Sequence, residues 1–164
     1  MSTKNLSEYN SSNLPDAGSM RIGIVVSEWN HEITDNLLKG CLDTLKACGI
    51  KDEFLHIVKV PGSFELAIGA QMLLENRRCE SVICLGCVIK GETPHFDFVC
   101  HSTAQAIQNV ASKFSKPVIF GLLTDNTMEQ SLARSGGAMG NKGVEAAVTA
   151  IKMVDVKRKL EKQD

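Results

Sequence analysis

The chain has 164 residues, 43% of them hydrophobic, which is enough for one domain with a substantial core. Lys and Arg number 18 against 19 Asp and Glu, a net charge of -1, so no basic surface for nucleic acid is expected. No apolar run approaches the ~20 residues of a membrane helix, so no membrane partner is expected either.

Met1 to Ser19 is polar, rich in Ser and Asn, and has no apolar stretch of the kind a secretory leader carries. It reads as a mobile arm ahead of a single domain at 20–164. Met20 to Ser27 (MRIGIVVS) is a first strand with a β-branched centre. The loop Glu28 to Ile33 follows and carries the only tryptophan, Trp29. An aromatic there is either a lid over core or a stacking face for a planar ring. Thr34 is placed to cap the next helix, whose stripe Leu37, Leu38, Cys41, Leu42 and Leu45 is core, and Gly49 suits its end.

Phe54 to Val60 is a second strand, ended by Pro61-Gly62, and Ser63 is placed to cap a helix over Phe64 to Glu75. Glu65 then sits in the first helical turn, where the helix dipole favours a carboxylate. That is the ordinary reason for it. The functional one is that Ser63, Phe64 and Glu65 face a ligand beside the other strand ends. Val82 to Ile89 is short, continuous, apolar and bounded by Gly91 and Pro94, the mark of a buried parallel strand. A helix over Phe96 to Phe114 comes next, with His95 at its start. Pro117 to Leu123 is a fourth strand. Thr127 to Gln130 has capping-box spacing and opens a short helix. Arg134 to Gly143 is a glycine-rich hinge, and Val144 to Leu160 is the last helix.

Crossovers of this length require parallel strands and right-handed units. The expected architecture is a three-layer α/β/α sandwich on a mainly four-stranded parallel sheet, flavodoxin-like. There is no G-x-G-x-x-G after the first strand and no P-loop, which disfavours a dinucleotide enzyme or an ATPase.

The six cysteines lie mostly in apolar, regular segments, as reduced core thiols of a cytoplasmic protein do. Cys84 and Cys87 have C-x-x-C spacing, but positions three apart on a strand point to opposite faces, so the pair is neither a metal clip nor a disulfide. His31, His56, His95 and His101 have no zinc spacing, and no metal site is expected. Ligands of open α/β sheets bind at the carboxyl ends of the strands. His95 stands at such an end, and an imidazole titrates near ~6.5. A histidine near a helix start is nonetheless more often a cap or a surface residue, and His95 alone names no reaction.

Five blocks carry a resemblance. They are Val25 to Thr34 (VVSEWNHEIT), Val60 to Leu66 (VPGSFEL), Leu85 to Val99 (LGCVIKGETPHFDFV), Pro117 to Thr124 (PVIFGLLT), and Glu129-Gln130 through Arg134 to Gly143. In this order and spacing they resemble the 6,7-dimethyl-8-ribityllumazine synthase family, over about Ile22 to Met153. The resemblance implies condensation of 5-amino-6-(D-ribitylamino)uracil with 3,4-dihydroxy-2-butanone 4-phosphate, the penultimate step of riboflavin biosynthesis, with no cofactor. It assigns proton transfer to His95. It gives the pyrimidine to Trp29, Ser63, Phe64, Glu65, Cys87, Val88, Ile89 and Phe120, and the phosphate to Glu92, Thr93 and Arg134. Departures from the family's usual residues are Trp29 for Phe, Lys90 for Arg, and Cys87 for a smaller or hydroxyl residue. Lys142 is a further residue near the phosphate in this reading.

The resemblance also implies a pentamer with sites between subunits, Phe120 and Arg134 completing a neighbour's site. Extra residues in the hinge go with free pentamers in the family. The hinge Ser135 to Asn141 has none, so an icosahedral shell of sixty subunits is expected, with a riboflavin synthase as its cargo. A shell protein with weak catalysis and a generic flavin binder are the competing classes; His95 and Arg134 together favour the enzyme.

Overall fold

The computed structural model describes residues 5, 7–10 and 13–162. Four parallel strands form the sheet: β1 (Ile22–Ser27), β2 (Leu55–Val60), β3 (Ser81–Ile89) and β4 (Val118–Asp125), in the order β2-β1-β3-β4. The central strands are the apolar ones. Every residue of β1 is buried, as are the first seven of β3, whereas β2 and β4 at the edges expose part of their length.

Helices α1 (His31–Ala47), α2 (Leu66–Asn76), α3 (His95–Phe114), α4 (Met128–Arg134) and α5 (Lys142–Glu161) complete the domain. Alternation along the strands divides the core in two. Ile22, Ile24 and Val26 of β1 and Ile83, Leu85 and Cys87 of β3 pack with α1 and α5. Val25, Val82 and Cys84 pack with α2 and α3 on the other face. Cys84 and Cys87 thus lie in different layers, and all six cysteines are free thiols. Burial on this scale holds the sheet rigid: emptying one central position, as in Leu85→Ala, costs roughly 2–5 kcal/mol. The three-layer flavodoxin-like sandwich read from the sequence is the fold observed.

Several local expectations are corrected. Thr34 caps nothing; α1 begins four residues earlier than a cap there implies, behind Asn30 in the left-handed conformation (φ 58°), and the Thr34 hydroxyl donates to the Ser27 carbonyl at 2.8 Å. Ser63 does not cap either. A 3₁₀ turn at Ser63–Glu65 precedes α2, and the Glu65 carboxylate accepts the Gly62 N–H at 3.0 Å. The glycine-rich hinge folds into a small antiparallel ribbon, β5 (Ser135–Gly137) with β6 (Gly140–Asn141), which Gly136 (φ 122°) and Gly140 (φ 80°) make possible. β4 runs two residues beyond its expected end, to Asp125, because Leu123, Thr124 and Asp125 still find register partners in Cys87, Val88 and Ile89.

Of the expected arm, residues 1–4, 6 and 11–12 lie outside the described residues. Among its described residues Ala17 is fully buried in the α1–α5 layer. Arg158 reaches the Ser19 hydroxyl and carbonyl, and the Ser7 hydroxyl accepts the Asn141 N–H at 2.9 Å. Among the described residues no helix is long and apolar enough to cross a membrane.

Candidate functional site

A cavity of about 670 Å³ opens at the carboxyl ends of β1, β2 and β3. From the β1 end come Trp29 and Asn30. The loop is pinned by backbone bonds, Glu28 N–H to the Val60 carbonyl and Trp29 N–H to the Pro61 carbonyl. Asn30 keeps its left-handed backbone because its side-chain amide donates to the Cys87 carbonyl at 3.0 Å. Trp29 is 74% exposed on the rim, so it does not lid the core.

From the β2 end come Pro61, Gly62, Ser63, Phe64 and Glu65. Ser63 is buried against β3, where a Cβ at Gly86 would lie 2.8 Å from its hydroxyl; glycine there lets the turn settle onto the strand. Thr103 of α3 donates to the Ser63 carbonyl. Phe64 points outward, 61% exposed. The β3 end supplies Cys87, Val88 and Ile89. Burial pushes the Cys87 thiol up, against the opposing hydrogen bond it makes to Ser131, so this sulfur is a neutral donor and not a nucleophile.

The last wall is one face of α3: His95, Phe98, Val99 and Ser102 at i, i+3, i+4 and i+7. His95 opens the helix, one residue earlier than expected, and is solvent-exposed. Phe98, Val99 and Ser102 were not read from the sequence as site residues; helical spacing from His95 was the available signal. Asn30, Pro61 and Gly62 were also missed. Nothing local to Asn30 announces a bond to a carbonyl 57 positions away.

The remaining candidates lie elsewhere. Glu92 and Thr93 are exposed in the turn before α3 and do not line the cavity, and among the described residues no protein group accepts their N–H groups. Phe120 was expected among the strand ends but lies near the start of β4, paired with Cys84, because the carboxyl end of that strand is at Asp125. It is 37% exposed on the sheet edge and does not reach the cavity of its own chain. Arg134 ends α4, also outside the cavity, and its guanidinium pairs with the Asp125 carboxylate. Lys142 pairs with Glu145. The cavity therefore combines aromatic faces, an imidazole and backbone polar groups, yet among the described residues neither Lys nor Arg lines it. No group of three His, Cys, Asp or Glu side chains among those residues is arranged to hold a metal.

These features define a flavodoxin-like α/β domain with a small-molecule cavity at the carboxyl end of its parallel sheet. The model of the 6,7-dimethyl-8-ribityllumazine synthase family matches residues 19–158. The chain is 54% identical over 152 residues to the 6,7-dimethyl-8-ribityllumazine synthase of Parabacteroides distasonis, covering 93% of this chain and 95% of that one. It is 51% identical over 158 residues to the Phocaeicola vulgatus protein of that name, with 96% and 94% covered. With the one from Bacteroides fragilis it shares 53% over 136 residues, 83% and 95% of the two chains. The chain belongs to the 6,7-dimethyl-8-ribityllumazine synthase family.

Proposed function

We propose that the chain condenses 5-amino-6-(D-ribitylamino)uracil with 3,4-dihydroxy-2-butanone 4-phosphate to give 6,7-dimethyl-8-ribityllumazine, the penultimate step of riboflavin biosynthesis. Family membership supports the reaction. The pyrimidine amine attacks the ketone and water leaves as the imine forms. Phosphate is then eliminated, and the ribitylamino nitrogen closes the second ring with loss of another water. Each step needs a proton given or taken near neutral pH, the role of His95. Trp29 offers its exposed face to the pyrimidine, whose polar edges meet the backbone at Cys87, Val88 and Ile89, and the ribityl hydroxyls reach Ser63, Phe64 and Glu65. Much of the acceleration would come from holding two substrates together.

The carrying observation for assembly is that the cavity holds an imidazole but neither Lys nor Arg among the described residues, while one substrate is a phosphate ester. Phe120 and Arg134 of a neighbouring subunit supply what is missing, with the free N–H groups of Glu92 and Thr93. Two different apolar edges support a ring. Ile57, Val58, Phe64, Ile68 and Met72 are exposed on the β2 side, and Phe120, Met128 and Leu132 on the β4 side. Unlike patches pair head to tail, and such contacts make a ring where the rotation from one subunit to the next closes. The reading is a pentamer, assembled further into a sixty-subunit shell because the hinge carries no insertion, with riboflavin synthase as cargo. Free thiols throughout agree with a cytoplasmic location.

Mixing the purified protein with both substrates and following the absorbing lumazine product tests the reaction; no product would overturn it. Light scattering tests assembly: a mass of five chains sinks the shell, and a mass of one chain sinks the shared site as well.

A further inference from the structure

We propose that Asp125 is a positioning residue that holds the Arg134 guanidinium in place for the phosphate of the four-carbon substrate. The inference rests on the phosphate-binding reading of Arg134 given above.

Asp125 is the last residue of β4, beside Ile89 in the sheet, and is 6% exposed. A carboxylate so placed is tolerated only if its oxygens are matched. Here each of them is. Oδ1 accepts from Arg134 Nη1. Oδ2 accepts from the Ser131 hydroxyl at 2.9 Å, and Ser131 is fully buried. The Ser131 oxygen in turn accepts from the Cys87 thiol at 3.3 Å. The Asp125 carbonyl accepts the Lys90 N–H at 2.9 Å. The carboxylate is thus fixed to α4 through Ser131 and, by way of that hydroxyl, to Cys87 of β3, while the backbone of Asp125 is tied to the turn after β3 through Lys90.

The guanidinium it holds is only partly occupied. Among the described residues Nη2 and Nε of Arg134 have no protein partner, and the side chain is 25% exposed. One edge of the planar fork is anchored and the other is left for an anion, the arrangement that bidentate phosphate recognition needs. A free arginine would lose rotamer freedom on binding; one already held does not. The sequence singled out Arg134 but assigned nothing to Asp125 or Ser131.

The competing view is that Asp125 merely neutralises Arg134 and weakens its pull on phosphate. Asp125→Asn separates the two, since it keeps the shape and an acceptor while removing the charge. Steady-state kinetics of the assembled enzyme should show the Michaelis constant for the phosphorylated ketone raised about ten-fold, the scale of coupling between contacting residues. The constant for the pyrimidine and the rate at saturating ketone should stay within about two-fold, a split that a general loss of structure does not produce. In an Arg134→Ala background, Asp125→Asn should add nothing. A lowered ketone constant, equal losses on both substrates, or an effect that persists without Arg134 overturns the proposal. If Arg134→Ala itself leaves the ketone constant unchanged, the reading of Arg134 fails and this one with it. If Arg134→Ala raises that constant and Asp125→Asn does not, only the role of Asp125 fails. Should Asp125→Asn not fold, Ser131→Ala decides: a rise of about three-fold on the ketone alone supports the proposal, and no change overturns it.

Discussion

The cavity wall and the corner where β4 meets α4 both lie at the carboxyl end of the sheet, and they are held together by opposite means. The wall presents Trp29, Phe64 and Phe98 largely to solvent. Its supports end on backbone: Asn30 to the Cys87 carbonyl, Thr103 to the Ser63 carbonyl, Gly62 N–H to Glu65. The corner is a chain of side chains, Cys87 to Ser131 to Asp125 to Arg134, with only the arginine end partly open. A flat uncharged ring asks for apolar area and backbone edges, which a rigid sheet provides without fixing each rotamer. An anion asks for a charge at one point, and a long charged side chain must be held there by a partner. The wall should therefore tolerate change better than the corner.

The largest expected effect tests whether wall and corner serve the same site in one chain or across two. At ketone well below saturation, His95→Ala and Arg134→Ala oligomers should each fall to about a tenth of wild-type activity or lower. Co-expressed, they should recover about a quarter of wild-type activity, because randomly mixed rings contain some intact shared sites. No recovery in mixed oligomers would place both halves in one subunit's site. On its own, His95→Ala should slow turnover roughly ten- to a thousand-fold with less change in pyrimidine binding. Undiminished turnover removes His95 from the mechanism.

Arg134→Lys sharpens the contrast, since it keeps the charge and loses the fork. Its Michaelis constant for the phosphorylated ketone should rise about ten-fold with little change for the pyrimidine; a loss confined to the pyrimidine would reverse the assignment of corner and wall. Trp29 gives a binding signal for the wall alone. As the only tryptophan it should change fluorescence when riboflavin or a substrate analogue is added, and a constant emission at saturation would leave it no stacking role.

The smallest effect lies beneath both regions, in β3. Burial pushes the Cys84 thiol up to about 12. An unfolded thiol ionises near ~8.5. The folded value is the higher one, so this contribution to stability is complete below the unfolded value and is lost as pH rises from there toward the folded one. Urea midpoints should fall between those two pH values, and fall less steeply in Cys84→Ala. An unchanged slope would mean that the thiol ionises within the native state.

Much of this molecule was legible as local pattern. The β-branched runs at Ile22–Ser27 and Ser81–Ile89, the stripe of α1 and the Pro61-Gly62 stop carry their own periodicity and turn chemistry, so the parallel α/β/α order followed from the chain alone. The placement of Trp29, Ser63, Cys87 and His95 at strand ends followed with it. What the tertiary structure alone decided are the long-range pairings. Asn30 meets a carbonyl 57 positions on, and Cys87 a hydroxyl 44 positions on. Such contacts exist only after strand register is set, and they override local preference: Thr34 turns from cap to donor, and β4 extends until Asp125 lies beside Ile89. Register also holds Phe120 on the sheet edge, away from its own chain's cavity, while Asp125 is brought where a carboxylate can hold Arg134. Periodicity records which face a residue takes, and only packing records whom it meets there.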